Sequence, residues 1–93
     1  MKIVILSDKK VKELNDTKAV LNSYATWYGN RLDSLQNLLY DEEKLSKAYE
    51  RNGNQEKADE HLKKFFSYDS ECTDLEDKIT IIKCLIKTVE ALV

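Results

Sequence analysis

Apolar residues recur at spacings of three and four from Leu14 almost to Tyr49, and the chain contains no proline that would interrupt them. On a helix, this spacing keeps one face pointed at a partner over many turns. The members of this stripe are Leu14, Leu21, Ala25, Tyr28, Leu32, Leu35 and Leu39, with Lys18 as its one polar position. The pattern predicts a coiled-coil-like helical protein whose first helix is long and packs against other helices.

The composition favours an all-α fold and one helical domain over residues 1–93. Two glycines and no proline leave few places for tight turns, which disfavours an all-β fold. Hydrophobic residues make up 42% of the chain and charged residues of both signs 34%, as expected for a folded core with salt-bridged helix faces. A core of this size is marginal alone, so we expect a homo-oligomer, with a dimer favoured.

The N-terminal half predicts a short arm followed by the long helix. Met1–Leu6 is apolar and β-branched in part, which indicates an extended arm. Ser7 is expected to cap the helix, with Asp8 in its first turn. Gly29 and Asp41 are two points where the helix could kink, although the stripe keeps its register through Gly29.

The clearest turn lies at Gly53. Glycine can adopt the left-handed conformation that closes a helix, and Asn54 can cap the helix that follows. The surrounding segment, 45–69, resembles one tetratricopeptide unit. That resemblance rests on Leu45, Ala48, Tyr49, Gly53, Ala58 and Leu62. It implies a helix-turn-helix with its turn at Gly53, and we take no function from it.

Shorter helices are expected after this turn. The first runs from Gln55 to about Phe66, with three residues on one face: Ala58, Leu62 and Phe65. Segment 68–70 interrupts it, and segment 73–76 (Thr-Asp-Leu-Glu) fits a capping box that starts a final helix.

The final helix is apolar on more than one face. Its stripe runs through Leu75, Ile79, Ile82, Ile86, Val89 and Val93, and further residues widen it: Ile81, Cys84, Leu85 and Leu92. A helix of this kind sits among several neighbours. We therefore expect an antiparallel hairpin or bundle, completed by the N-terminal arm or by a second chain. Self-association would use either the Leu14–Leu39 stripe or this last helix.

Charge and hydropathy exclude several partner classes. The net charge of −2 is far from the basic face that nucleic-acid binding needs. No apolar run approaches the roughly 20 residues of a membrane span, and Met1–Leu6 is too short for a secretory leader. Cys72 and Cys84 would lie about 18 Å apart on one helix, beyond the roughly 7 Å limit for a disulfide. We therefore expect a cytoplasmic protein.

The sequence contains no recognisable catalytic or metal-binding motif. His61 is the one histidine, and its neighbours at three and four residues offer no second soft ligand. The clustered carboxylates lie at predicted helix starts, where the helix dipole explains them. Glycine-rich phosphate loops and nucleophile motifs are not found. We expect no enzymatic activity, catalytic residue, cofactor or metal.

Aromatic residues cluster on the first helix and are the candidate site. Tyr24, Trp27 and Tyr28 lie at helical spacing and form one patch, which Leu32 extends. Core packing is one explanation of the patch. The other is a protein interface, where Trp and Tyr are common anchors. We expect a non-enzymatic protein-binding module of adaptor or inhibitor type, from a bacterium or phage as the Lys- and Asn-rich composition suggests.

A second function comes from a resemblance. Trp27-Tyr28-Gly29 is similar to the Trp-x-Gly signature of the small helical substrates of type VII secretion. The resemblance implies a secreted helical protein, or its chaperone, with the motif in the turn between two helices.

Overall fold

Two long helices pack against each other in the computed structural model, which describes residues 6–92. Helix α1 spans Asp8–Arg51 and helix α2 spans Gln55–Leu92. They run antiparallel as one hairpin, 69 Å long and 12 Å in its thinnest dimension. The all-α prediction is confirmed. The expected arm at Met1–Leu6 lies, apart from Leu6, outside the described residues, as does Val93.

Helix α1 begins at the predicted cap. The Ser7 hydroxyl accepts a 3.3 Å hydrogen bond from the backbone N–H of Lys10, and Asp8 occupies the first turn. Both expected kink positions, Gly29 and Asp41, lie within the helix. Nothing lies within 4 Å of a Cβ added at Gly29, so that position needs no glycine for packing.

Residues 52–54 connect the helices. Gly53 has a φ of +78°, in the left-handed region that residues with a Cβ avoid. The Asn54 side chain accepts a 3.2 Å hydrogen bond from the N–H of Lys57, in the manner of a helix cap. Ala58 N–H bonds to the Asn54 carbonyl and continues the first turn of α2.

The expected division of the C-terminal half into shorter helices is wrong. Segment 68–70 lies inside α2, and the predicted capping box does not form. Instead, the Thr73 hydroxyl donates a 3.2 Å hydrogen bond to the Asp69 carbonyl, four residues earlier in the same helix. Continuing the helix keeps Tyr68, Cys72 and Leu75 on the packed side, and this tertiary gain overrides weak local propensity.

On both helices, the residues that pack against the other helix are spaced alternately by three and four positions. This spacing is typical of an antiparallel coiled coil, and we call the line of contact between the two helices the seam. On α1 the seam positions are Val11, Leu14, Lys18, Leu21, Ala25, Tyr28, Leu32, Leu35, Leu39, Glu42, Ser46 and Tyr49. On α2 they are Ala58, His61, Phe65, Tyr68, Cys72, Leu75, Ile79, Ile82, Ile86 and Val89. The Leu14–Leu39 stripe therefore faces α2 of its own chain.

The best-covered part of the seam lies at mid-length. Leu35, with 0% of its surface exposed, packs with Cys72 and Leu75. Four half-buried side chains surround them: Tyr28, Leu32, Leu39 and Tyr68. Elsewhere the seam is mostly half-buried, because a hairpin one helix thick leaves water on the remaining sides of each helix.

The prediction that Leu62 shares the packed face of α2 with Ala58 and Phe65 is wrong. In the structure, 41% of the Leu62 surface is exposed. His61 takes the seam position instead, where its Nδ1 lies 2.5 Å from Glu42 Oε2. The first two seam residues of α2, Ala58 and His61, are thus three positions apart and not four.

Candidate protein-binding surface

Two ion pairs identify which sides of the helices adjoin. Arg31 pairs with Glu71 at 3.2 Å on one flank of the seam. Lys18, a seam residue, pairs at 3.0 Å with Glu90 on the other flank. Residues seven apart on a coiled-coil helix share one side. The Arg31–Glu71 pair therefore places the side of α1 that carries Tyr24 next to the side of α2 that carries Leu85 and Leu92.

The α1 part of this flank is an exposed aromatic patch. Trp27 is 63% exposed, Val20 54% and Tyr24 51%, and with Ser23 they line an open groove. The Trp27 ring meets the Tyr28 ring edge-on at 5.0 Å between centroids, and Tyr24 stacks on Tyr28 at 6.3 Å. The Tyr28 ring thus contacts both outer rings from the seam side.

The α2 part carries exposed aliphatic side chains. Ile81 is 60% exposed, Leu92 56% and Leu85 47%. The Lys78 ammonium lies 5.6 Å from the centroid of the Tyr28 ring, which links this part to the aromatic patch. Ile81 and Leu85 lie three and seven residues after Lys78, on the same side of the helix.

This flank carries no charge at its exposed positions from residue 17 to 30 on α1 and from 81 to 92 on α2, and Asp16 and Lys78 lie at the borders of that stretch. On α1 its exposed positions are Thr17, Val20, Ser23, Tyr24, Trp27 and Asn30. On α2 they are Ile81, Cys84, Leu85, Thr88, Ala91 and Leu92. We call these residues the open-end face.

The opposite flank has the ordinary character of a solvated helix surface. The α2 positions at heptad spacing from Glu90 include Lys83, Glu76 and Asp69. Its exposed apolar residues lie nearer the turn: Tyr40 at 59%, Phe66 at 59% and Leu62 at 41%. The Lys44 ammonium covers the Tyr40 ring at 4.4 Å. These residues match the open-end face in exposure and serve as its controls.

The structure divides the predicted partner-binding residues into two pairs. Tyr24 and Trp27 are exposed on the open-end face. Tyr28 and Leu32 are half-buried and pack on the core formed by Leu35 and its neighbours. Core packing thus accounts for Tyr28 and Leu32, and the interface explanation stays a prediction for Tyr24 and Trp27.

Sequence reasoning missed Val20 and the α2 half of the face as surface residues. Their signal is visible in retrospect, because Val20 and Trp27 are one heptad apart, as are Leu85 and Leu92. Leu85 and Leu92 flank the seam, and Val20 and Trp27 lie one position further out on the same side. Recognising that the two pairs form one surface requires knowing which residues of α1 and α2 lie opposite one another, and the sequence does not provide this.

Trp27-Tyr28-Gly29 lies inside α1 and not in a turn. The placement that the Trp-x-Gly resemblance implies is therefore wrong for this chain. The connection between the helices is at residues 52–54, more than twenty residues further along.

A polar group occupies the seam beside the turn. The Ser46 hydroxyl donates a 2.9 Å hydrogen bond to the Ala58 carbonyl, and the Tyr49 ring stacks on His61 at 5.4 Å between centroids. Glu42 and His61 complete the group. All these side chains are engaged with one another across the helices, which is the role of a polar layer that sets register.

The two cysteines differ in environment. Cys72 is buried in the core and Cys84 is exposed, and both are free thiols. Burial raises the pKa of the Cys72 thiol, and neighbouring carboxylates, that of Glu76 foremost, raise it further. The Cys72 thiol is therefore protonated and unreactive at neutral pH.

Comparison of the chain with protein-family models, with curated proteins and with solved structures finds no match. Within residues 6–92, neither helix combines the length and the apolar character that crossing a bilayer requires.

Proposed function

We propose that this chain is a non-enzymatic protein-binding module of adaptor or inhibitor type, which acts by binding or occluding a protein partner through the open-end face. The observation that carries the proposal is the uncharged, exposed surface that both helices build together. Contiguous apolar surface of this extent marks interaction sites, because exposing it to water is unfavourable.

Trp27 and Tyr24 are the anchors of this proposal. Large aromatic side chains bury much surface at a low cost in side-chain entropy, and they dominate binding energies at interfaces. Tyr28 contacts both rings from the seam side. Leu32 has a supporting role, since it packs on the hairpin's own core.

Alanine substitution tests the anchors. Trp27→Ala with Tyr24→Ala should reduce capture of the partner from an extract of the native host by at least tenfold, the order expected for loss of about 2 kcal/mol at a binding hot spot. Both side chains are half-exposed or more, so the helical circular dichroism signal should stay unchanged.

The matched control is Tyr40→Ala with Phe66→Ala. Both residues are 59% exposed but lie on the opposite flank, nearer the turn. This variant should capture the partner as well as the unmodified chain does. The open-end face is not the binding surface if the Trp27/Tyr24 variant captures the partner as well as the unmodified chain does. The same conclusion follows if both variants lose capture to the same extent.

A second candidate is a small helical secretion-system substrate or its chaperone of the Trp-x-Gly type. The exposure of Trp27 within its Trp-Tyr-Gly sequence favours it, and the position of that sequence inside α1 weighs against it. Export into the culture medium, or co-purification with another small helical protein, would favour this candidate. Retention in the cytoplasm without such a companion would exclude it.

A further inference from the structure

We infer that the protein seated on the open-end face is a second copy of this chain, so that two hairpins pack through their open halves as a four-helix bundle. The inference rests on the proposed binding role of this face and names its partner. It also replaces the expected dimer contact through the Leu14–Leu39 stripe, which the hairpin uses internally.

The width of the apolar surface favours a bundle over an isolated coiled coil. A two-stranded coiled coil needs apolar residues at the seam alone, whereas helices of a bundle carry an additional apolar position beside it. On α2, Leu85 and Leu92 occupy that additional position. On α1, Tyr24 occupies it, and Val20 and Trp27 lie one position further from the seam. Towards the turn, the same side becomes charged, with Arg31 and Glu71.

The exposed area is in excess of what a compact chain shows. The accessible surface is 7297 Å², whereas a compact monomer of this mass exposes roughly 5,500 Å². A stable interface buries about 800 Å² on each partner. A dimer interface of that size on the open-end face would therefore remove a little under half of this excess of roughly 1,800 Å².

The charge pattern favours an identical partner. In a two-fold dimer each surface meets its own copy, so any charge near the axis would face a like charge. The residues of the open-end face carry no charge, and the ammonium of Lys78 at its border lies 5.6 Å from the centroid of the Tyr28 ring. The small residues of this face, Ser23 and Thr88, lie between larger ones on each helix and offer recesses into which side chains of the second copy can pack.

The solution mass of the full chain tests the inference. Sedimentation equilibrium over the micromolar range should give twice the 10.8 kDa chain mass. Placing lysines in the face, with Ile81→Lys and Leu85→Lys, should halve that mass, while the helical signal remains because both side chains are exposed. The milder variant Leu85→Gln should shift the dimer–monomer midpoint to higher concentration.

The control variant is Phe66→Lys with Leu62→Lys, at matched exposure on the opposite flank. It should remain dimeric. A monomeric full chain at every concentration would overturn the inference, as would equal dissociation of the control. A monomeric full chain that dimerises once residues 1–5 are removed would assign the face to the N-terminal arm and overturn it too.

Failure here is distinguishable from failure of the proposed function. If the chain is monomeric and the Trp27/Tyr24 variant still loses a host protein, the second copy is excluded and the binding face remains. If the Trp27/Tyr24 variant captures host protein as well as the unmodified chain does, and its self-association is also unchanged, both proposals fail.

Discussion

Glu42 and His61 face each other across the seam, with 2.5 Å between Oε2 and Nδ1, and their side chains are only 13% and 17% exposed. A carboxylate accepts hydrogen bonds and does not donate them, so the imidazole Nδ1–H is the donor. A polar contact at a seam position constrains which residues of the two helices can lie opposite one another. Together with the Ser46–Ala58 hydrogen bond and the Arg31–Glu71 ion pair, this pair is compatible with only one register of the two helices.

Removing one member of this pair should destabilise the hairpin. His61→Ala leaves Glu42 without its partner and should lower the free energy of unfolding by about 1–3 kcal/mol. Replacing both residues with leucine should be neutral or stabilising, since burying polar pairs gains little overall. Urea unfolding followed by circular dichroism measures both. Leu62→Ala, next to His61 but exposed, should cost less than about 1 kcal/mol.

The two glycines should respond to alanine with opposite signs. Gly53→Ala forces a Cβ into the left-handed region at φ +78° and should cost about 1 kcal/mol. Gly29→Ala meets open space inside α1 and should stabilise the hairpin by roughly 0.5–1 kcal/mol. Thermal and urea unfolding of the two variants check this. A stabilising Gly53→Ala would show that residues 52–54 adopt another turn.

The core at mid-length should carry the largest single contribution to stability. Leu35→Ala empties the one fully buried leucine position and should cost about 2–5 kcal/mol. Leu38→Ala, three residues further and 38% exposed, should cost under about 1.5 kcal/mol. Similar losses from both variants would mean that the seam of α1 is rotated from the position described here.

The cysteines should differ in their rates of alkylation. In the variant with Ile81→Lys and Leu85→Lys, in which the open-end face is expected to stay uncovered, Cys84 should react readily and Cys72 slowly. Because the pKa of the Cys72 thiol is raised, its reaction should require more alkaline pH. The stability linked to this raised pKa is present at neutral pH and lost as the pH rises through the folded-state value. Mass spectrometry of timed samples resolves the two sites.

The helical fold and much of the seam could be predicted from the sequence because periodic spacing is a local property. Ser7 as a cap follows from local chemistry in the same way. The breaks expected at 68–70 and 73–76 failed because the seam contacts of Tyr68 and Cys72 outweigh local propensity. Hydrophobicity alone assigns the seam position to Leu62. His61 occupies it instead, because the residue across the seam is the carboxylate of Glu42.

Only half of the candidate site could be predicted. Tyr24 and Trp27 stand out in the sequence as aromatic residues at helical spacing. Ile81 and Leu85 appear there as extra width on an apolar helix, with no indication of which α1 residues adjoin them. That assignment depends on the Arg31–Glu71 contact between residues forty positions apart, which no local pattern contains.

The most direct test of the open-end face as a binding surface is the quenching of Trp27 fluorescence by acrylamide, because Trp27 is the only tryptophan in the chain. We expect strong quenching in dilute protein, where the ring is 63% exposed. Quenching should fall as concentration rises or a captured partner is added, and it should stay strong in the Ile81→Lys, Leu85→Lys variant at all concentrations. Quenching that is equally strong in the unmodified chain at every concentration, and with the captured partner bound, would contradict the account.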